Sequence, residues 1–221
     1  MRFRKNRRGF YSLVIFLLVF VTSLGAELIS NDKPFLVVYE GNYYFPYFKS
    51  YPETTFGGIF ETETDYRDPF FAETIAREGN RAYFPVNRYY YDTISYEIIG
   101  PVPSSPTRDN ILGTDDRGRD VFARLLYGFR LSILFGLALT CVGTLIGILC
   151  GAVQGDFGGR TDLFFQRFIE IWGSMPELYL LIIFASIFKP SALFLLILLS
   201  FFSWMGLSDY VRAEFLRGRN M

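Results

Sequence analysis

Charged side chains of both signs crowd the segment Leu112 to Asp120, where residue types and spacing point most directly to chemistry. The segment contains three aspartates and two arginines: Asp115, Asp116, Asp120, Arg117 and Arg119. Their spacing departs from the Asp-x-Asp-x-Asp-Gly pattern of calcium loops, and the arginines would repel a cation. The segment therefore predicts a ring of mutual ion pairs around Gly118, with calcium binding as the alternative. Exposed ion pairs contribute only about 0 to 1 kcal/mol each, so we expect the ring to set geometry.

Two glutamates in an apolar part of the chain are the second candidate. Glu170 and Glu177 are seven residues apart, which would place both near one face of a single helix. Pro176 should kink that helix. A carboxylate at membrane depth is costly unless it is paired or hydrated. Two interpretations stay open: Glu177 lines an aqueous path, or it caps helix ends that Pro176 frees.

The sequence offers little else for catalysis. It has no histidine, which removes the commonest general base and metal ligand. It contains no Walker loop, nucleophile elbow, zinc spacing or deaminase pattern. Asp156-Phe157-Gly158 matches the magnesium triplet of protein kinases, but no nucleotide loop accompanies it. We therefore predict no catalytic residue, no metal and no cofactor bound by this chain.

The element that must position these residues is an uncharged run from Leu131 to Gly155. At about 1.5 Å per residue such a run crosses a hydrocarbon core of about 30 Å, so it predicts a transmembrane helix. Glycine recurs at every fourth position, which permits close approach of a neighbouring helix. These glycines are Gly143, Gly147, Gly151 and Gly155. Cys141 and Cys150 lie in the same run and read as small buried hydrophobes.

Composition and charge place the chain in the integral-membrane class. Aromatic residues make up 19% of it, and its apolar residues form long blocks. Residues 27–120 carry a net charge of −7 (9 basic, 16 acidic), and the remainder carries +7. Such asymmetry is a topology signal and gives no reason to expect nucleic-acid binding.

The amino-terminal segment, residues 1–30, predicts a first transmembrane helix. A basic stretch, Met1 to Arg8, precedes an apolar run that begins at Phe10. A basic flank is retained in the cytoplasm, so this helix should run outwards from a cytoplasmic amino terminus. A cleaved signal peptide is the alternative, with Ser23-Leu24-Gly25 as its cleavage site.

Residues 31–111 predict a small mixed α/β extracytoplasmic insertion between helices one and two. Tyrosine and phenylalanine are abundant, and short apolar runs such as Phe35 to Tyr39 and Ile94 to Ile99 indicate strands. About eighty residues bury only a marginal core, so the insertion should pack on the membrane domain or on a partner. Its aromatic residues either contact a ligand, a partner or lipid headgroups, or simply pack the strands.

Two further spans complete the prediction for residues 112–221. The third helix should run from Phe164 to Phe188 with Arg167 paired to Glu170, and the fourth from about Leu193 to Trp204. The short flanks at the amino terminus, before the third helix and at the carboxyl end are basic. Four spans with both ends in the cytoplasm satisfy the positive-inside rule.

Several separated blocks of this sequence, in order, resemble the second permease subunit of dipeptide and oligopeptide ABC importers. They are Leu112 to Val121, Arg124 to Ser132, Gly147 to Gly159, Asp162, Arg167, Glu170 and Pro176. The likeness covers about Ile111 to Arg219, and the long aromatic insertion makes the chain most similar to the Yej-type members. The resemblance gives the motif residues Gly113, Thr114, Asp115, Asp116, Gly118, Arg119 and Asp120 a place at the periplasmic entrance.

The resemblance implies an all-α polytopic permease of six helices in the bacterial inner membrane. It further implies a second permease subunit, two cytoplasmic ATPase subunits that bind the ATP, a periplasmic solute-binding protein and a peptide substrate. Glu177 would then meet the amino group of a peptide. Membrane lipid is the remaining expected partner.

One departure from the family pattern concerns the carboxyl end. The cytoplasmic loop that docks in the ATPase should follow the fourth helix, and only its approach is present, around Arg212 and Arg217. We therefore expect four of the six helices and a chain that alone would not couple ATP hydrolysis to transport. Two other function classes stay open: a membrane-embedded hydrolase that uses aspartates, and a scaffold that displays its aromatic domain without transport.

Overall fold

The computed structural model describes residues 6–96, 98 and 100–219 and divides into two compact units, Met1–Leu131 and Ser132–Met221. The basic residues Arg2, Arg4 and Lys5 lie outside the described residues, as do Glu97, Ile99, Asn220 and Met221. The boundary between the units falls within one long helix, α4.

The first unit begins with a helix and continues into a mixed domain. Its elements are α1 (Arg7–Leu24), α2 (Ala26–Ile29), β1 (Leu36–Tyr39), β2 (Asn42–Tyr44), a 3-10 helix (Glu53–Phe56), α3 (Pro69–Ala76), β3 (Arg81–Tyr83) and the start of α4 (Val121–Phe157). The strands form one antiparallel sheet in the order β2-β1-β3. The mixed α/β insertion is thus present, and Phe35 to Tyr39 contributes a strand. Ile94, in the second predicted run, forms only an isolated bridge to Arg119.

The sheet and α3 form where local signals favour them. Glu40 and Gly41 connect β1 to β2 with φ values of 49° and 80°, as a tight hairpin requires. The Asp68 carboxylate accepts a hydrogen bond from the Phe70 amide and caps α3, and Pro69 occupies its first position.

The core of the insertion is mainly aromatic. Phe56 is 1% exposed and contacts Tyr66 and Phe71 edge to face, with ring centroids 6.0 Å and 5.4 Å away. Val37 on β1 completes the buried cluster. Edge-to-face pairs of this kind add about 0.5 to 1.5 kcal/mol each beyond area burial. Part of the aromatic content therefore packs the domain, while Phe48 remains 82% exposed.

The regular elements among the described residues of the second unit are all helices. It holds the rest of α4, followed by α5 (Gly159–Gly173), α6 (Glu177–Ile187), α7 (Ala192–Ser203) and α8 (Met205–Arg219). Three helical stretches of the chain are long and apolar enough to cross a membrane: Arg7–Leu24, Val121–Phe157 and Ala192–Arg219. A fourth results if the bent pair α5 and α6 is one span. The predicted class, an all-α polytopic membrane protein with a small mixed insertion, is confirmed.

Two predicted helix boundaries were wrong, and a third predicted helix is interrupted near Pro176, where a kink was predicted. Helix α4 starts ten residues before Leu131, because Asp120 supplies a cap there. Its 37 residues extend about 55 Å, well beyond a hydrocarbon core of about 30 Å. The fourth span does not end at Trp204 but continues as α8 to Arg219. The third helix is broken, with a bend of 68° between α5 and α6.

Candidate functional site

The motif loop, residues 113–120, is a tight turn that precedes α4. Gly113 and Gly118 adopt φ values of 75° and 77°, which favour glycine. Thr114 forms an isolated bridge to Asp120 and is buried. Its hydroxyl accepts a hydrogen bond from the Ser104 amide at 3.0 Å. The loop is therefore fixed to the insertion on one side and to the start of α4 on the other.

Asp115 is the centre of the ion pairs in this loop. Its carboxylate lies 2.7 Å from the Arg119 guanidinium and 3.3 Å from that of Arg124. Burial alone would raise the pKa of Asp115, but hydrogen bonds from Arg119 and from the Arg117 backbone lower that pKa to about 2. Asp116 is exposed. Asp115 is thus an ionised carboxylate that pairs with two arginines.

Asp120 does not join the predicted ring of ion pairs, and that part of the prediction was wrong. The side chain is fully buried, and its two oxygens accept hydrogen bonds from the amides of Asn87 and Asn110, each at 2.9 Å. The Ala123 backbone N–H donates at 2.8 Å, which makes Asp120 the amino-terminal cap of α4. Neutral donors and the helix dipole stabilise this carboxylate in place of arginine.

A contact that the sequence analysis missed joins α2 to the first turns of α4. Glu27 and Arg130 form a two-pronged ion pair with both N–O distances at 2.7 Å, and the hydrogen bond from Arg130 lowers the pKa of Glu27. Tyr127 donates to the Ser30 carbonyl oxygen at 2.7 Å. The available signal was positional: Glu27 is the first acid after α1, and Arg130 is the last charge before the uncharged run.

In the second unit the four striped glycines of α4 face α8 and the end of α7. A Cβ on Gly151 would lie 2.6 Å from the Ser208 carbonyl oxygen, and one on Gly147 would lie 3.0 Å from that of Trp204. A Cβ on Gly143 would lie 2.7 Å from the Ser203 hydroxyl, and Gly155 abuts Phe215. The absence of side chains thus allows the two backbones to approach closely.

A buried polar cluster lies beside this interface, and the sequence analysis missed it. Gln154 is 0% exposed and donates to the Ser208 hydroxyl at 2.7 Å. Its side-chain oxygen accepts from Gln166 on α5 at 3.1 Å, and Gln166 also donates to Asp209 at 3.3 Å. Three helices are therefore linked through one amide. The signal was Gln154 itself, a large polar side chain within the uncharged run.

Arg212, predicted to lead towards a coupling loop, is bound within the helices. Its guanidinium donates two hydrogen bonds to the carboxylate of Asp162 on α5, one of them 2.7 Å long. The side chains are 28% and 15% exposed, so water screens this pair only partly. Arg217 instead lies on the exposed surface of α8, 3.5 Å from Glu214. Of these two arginines, Arg212 binds a residue of a neighbouring helix and Arg217 binds a residue of α8 itself.

The two glutamates do not share a helix face, contrary to the prediction. Glu170 lies near the carboxyl terminus of α5, and its carboxylate is 2.6 Å from the Arg167 guanidinium, as the spacing indicated. Pro176 adopts an extended conformation and precedes α6, so Glu177 occupies the first turn of a separate helix. Proline disfavours helix in the residue before it, which accounts for a break where a kink was expected. An acid in a first turn is stabilised by the helix dipole.

Comparison with known proteins gives a consistent set of relatives. Residues 143–221 match the family model described as "Binding-protein-dependent transport system inner membrane component". The chain is 49% identical over 219 residues to the "Inner membrane ABC transporter permease protein YejE" of Escherichia coli strain K12. It is 45% identical over 242 residues to the "Peptidoglycan transport system permease protein YejE" of Agrobacterium fabrum. Both matches cover 99% of this chain, which spans 64% and 63% of the lengths of those relatives.

A more distant relative matches a shorter part of the chain. The "Oligopeptide transport system permease protein OppC" of Bacillus subtilis is 34% identical over 135 residues, covering 61% of this chain and 43% of that protein. The shared region is thus shorter than in the YejE relatives. Through residues 143–221 the chain is therefore similar to the binding-protein-dependent transport system inner membrane components, and this similarity agrees with the resemblance drawn from its motifs.

Proposed function

We propose that the chain forms half of the translocation path of an ATP-driven importer for peptides or peptide-like compounds. The observation that carries the proposal is the 49% identity over 219 residues with an ABC transporter permease. The substrate class follows from relatives named for oligopeptide, dipeptide and peptidoglycan transport. The path would open alternately to the two sides as packed helices rearrange.

The partners in this proposal are a second permease subunit, two cytoplasmic ATPase subunits, a periplasmic solute-binding protein and membrane lipid. ATP would be bound and hydrolysed by the ATPase subunits, and the chain would need no cofactor of its own. The amino terminus would be cytoplasmic and the insertion periplasmic in a bacterial inner membrane, in keeping with the positive-inside rule. The motif loop, residues 113–120, would then form the periplasmic entrance beside the insertion.

Within this role Arg212 and Asp162 would transmit motion. They connect α8 to α5, and the polar cluster at Gln154 connects both helices to α4. A displacement of α8 by an ATPase partner would therefore reach the other two helices through specific side-chain contacts. Glu177 at the first turn of α6 remains the candidate for contact with a peptide amino group.

The test is peptide uptake in the host bacterium. Removal of the gene should abolish uptake of isotope-labelled short peptides, and the natural gene on a plasmid should restore it. Purification of the natural gene product from detergent should recover a second permease and ATPase subunits. Unchanged uptake together with no recovered ATPase would favour the alternative, a membrane scaffold that displays the insertion. A Glu177→Gln gene that restores normal uptake would exclude a path role for that carboxylate.

A further inference from the structure

A cavity on the insertion concentrates positive charge in a region that is otherwise acidic. It has a volume of about 560 Å³ and is lined by three arginines, Arg67, Arg88 and Arg108, with a single acid, Asp109. The surrounding segment, residues 27–120, carries a net charge of −7. The volume lies within the range of small-molecule pockets, about 300 to 1,000 Å³.

Aromatic rings hold two of these arginines in place. The guanidinium of Arg88 stacks on Phe84 with 4.5 Å between the guanidinium carbon and the ring centroid, and that of Arg67 lies over Tyr89 at the same distance. Arg67 also donates to the Ile94 carbonyl oxygen. Stacking limits the rotation of the Arg88 guanidinium and leaves its edge of N–H donors facing outward. Such an edge matches a carboxylate, which it can bind with two parallel hydrogen bonds.

A second cavity of about 680 Å³ adjoins the first and has the opposite charge. Tyr66 and Arg67 line both cavities. The second cavity contains one lysine besides Arg67, and five acids: Asp32, Glu63, Asp65, Asp68 and Asp92. A phosphate or another dense anion in the first cavity would be repelled by these carboxylates. A ligand with an anionic end and a cationic end is favoured by both cavities.

We infer that the insertion binds the free carboxylate of a short zwitterionic peptide in the arginine cavity, with the peptide's amino end towards the acidic cavity. This inference rests on the proposed function for its choice of peptides. An extended peptide of two or three residues reaches about 7 to 11 Å. Tyr66 and Arg67 line both cavities, so a peptide bound across them would pass these two residues. The insertion then contributes a peptide contact of its own outside the membrane helices.

The experiment measures peptide binding to the full chain in detergent by isothermal titration calorimetry. The probes are tri-alanine, the same peptide amidated at its carboxyl end, the same peptide acetylated at its amino end, and inorganic phosphate. Tri-alanine should bind most tightly, amidation should weaken it about tenfold or more, and acetylation should weaken it by a smaller factor. Phosphate should neither bind nor compete. Equal binding of the free and amidated peptides, or no saturable binding up to about 10 mM, overturns the inference.

Substitutions of the arginines test where the peptide binds. The double variant Arg88→Gln/Arg108→Gln should bind tri-alanine about tenfold more weakly, and its affinity for the amidated peptide should be unchanged. Amidation of the peptide and loss of the arginines remove the same contact. Both side chains are exposed, so the fold should persist. Arg81→Gln is the matched control: Arg81 is an exposed arginine of β3 outside the cavity lining, and its loss should change affinity less than about twofold. Equal weakening by Arg81→Gln would show general charge attraction only and would overturn the site.

The outcome is independent of the test of the proposed function. If the purified chain binds tri-alanine through Arg88 and Arg108 but peptide uptake by the host does not require the gene, the binding site is supported and the importer function is refuted. Uptake that requires the gene, with no binding by the purified chain, keeps the importer and refutes the site.

Discussion

The two units of the chain solve the same problem, a fully buried polar side chain, in different ways. In the first unit the buried group is an ionisable carboxylate, Asp120, surrounded by amide donors. In the second it is a neutral amide, Gln154, and the charges nearby occur as the pair Asp162 and Arg212. A lone charge among apolar helices is costly, so an amide is tolerated there where an aspartate is not. The surroundings thus decide which polar residue can fix a helix.

Asp120→Ala is the variant expected to lower stability most. The change removes one hydrogen bond from each side-chain amide of Asn87 and Asn110, although Asn87 keeps its bond to the Ser30 hydroxyl, and it removes the cap of α4. Lost buried hydrogen bonds cost about 1 to 3 kcal/mol each, so we expect a loss of about 4 kcal/mol of unfolding free energy. Thermal unfolding in detergent, followed by circular dichroism, measures it. Asp116→Ala, at an exposed neighbour, should be close to neutral, and an equal loss for both variants would contradict the role given to Asp120.

The next effect concerns close packing in the second unit. Gly151→Ala would place its Cβ 2.6 Å from the Ser208 carbonyl oxygen and force α4 and α8 apart. Overpacking of this kind costs about 1 to 3 kcal/mol. Gly136→Ala, in the same helix with nothing within 4 Å, should instead stabilise the helix by about 1 kcal/mol. The two alanine variants should therefore shift the unfolding temperature in opposite directions, and shifts of the same sign would contradict the packing seen at the stripe.

A smaller effect tests the charge pair. Arg212→Asp or Asp162→Arg leaves two like charges facing each other, and the double exchange restores a pair with reversed sign. We expect each single variant to lose about 2 kcal/mol and the double variant to recover at least half of that loss. A double variant no more stable than the worse single one would show that the pair contributes through packing alone. The Arg217→Asp variant, on an exposed side chain, is the control and should be nearly neutral.

The sequence predicted the elements well where one signal dominates. The uncharged run identified α4, and its glycine spacing pointed to a closely packed neighbour. Helix ends were harder to predict. Arg124 and Arg130 interrupt the apolar residues before Leu131, and Asp120, which caps α4, is held by Asn87 and Asn110, distant residues of the insertion. Pro176 predicted an irregularity in the third helix. Whether a proline causes a kink or a break depends on how neighbouring groups satisfy the freed backbone groups, which the sequence does not reveal.

The candidate site could be predicted only in part for the same reason. Asp115 and Arg119 are four residues apart, so their pairing could be read locally, whereas Asp162 and Arg212 are fifty residues apart and meet only once the helices pack. Glu27 and Arg130 are likewise joined by the fold. Spacing in sequence reveals partners within one turn, and long-range ion pairs need the tertiary structure.

The smallest expected effect is the contribution of Asp115 to the pH dependence of the unfolding free energy. Hydrogen bonds and ion pairing with Arg119 lower the pKa of Asp115 to about 2 in the folded chain, against an ordinary value of 3.8. Because the folded-state pKa is the lower one, this carboxylate stabilises the fold above about pH 4 and loses its contribution as pH falls towards about 2. Asp115→Asn should therefore lower stability at neutral pH and make the unfolding free energy change less between about pH 5 and about pH 3. Unfolding of both proteins across that interval measures the difference. An unchanged slope in Asp115→Asn would assign the acid sensitivity of the first unit to other carboxylates. Glu63 and Glu27 are the candidates, because Lys33 lowers the pKa of Glu63 and Arg130 lowers the pKa of Glu27.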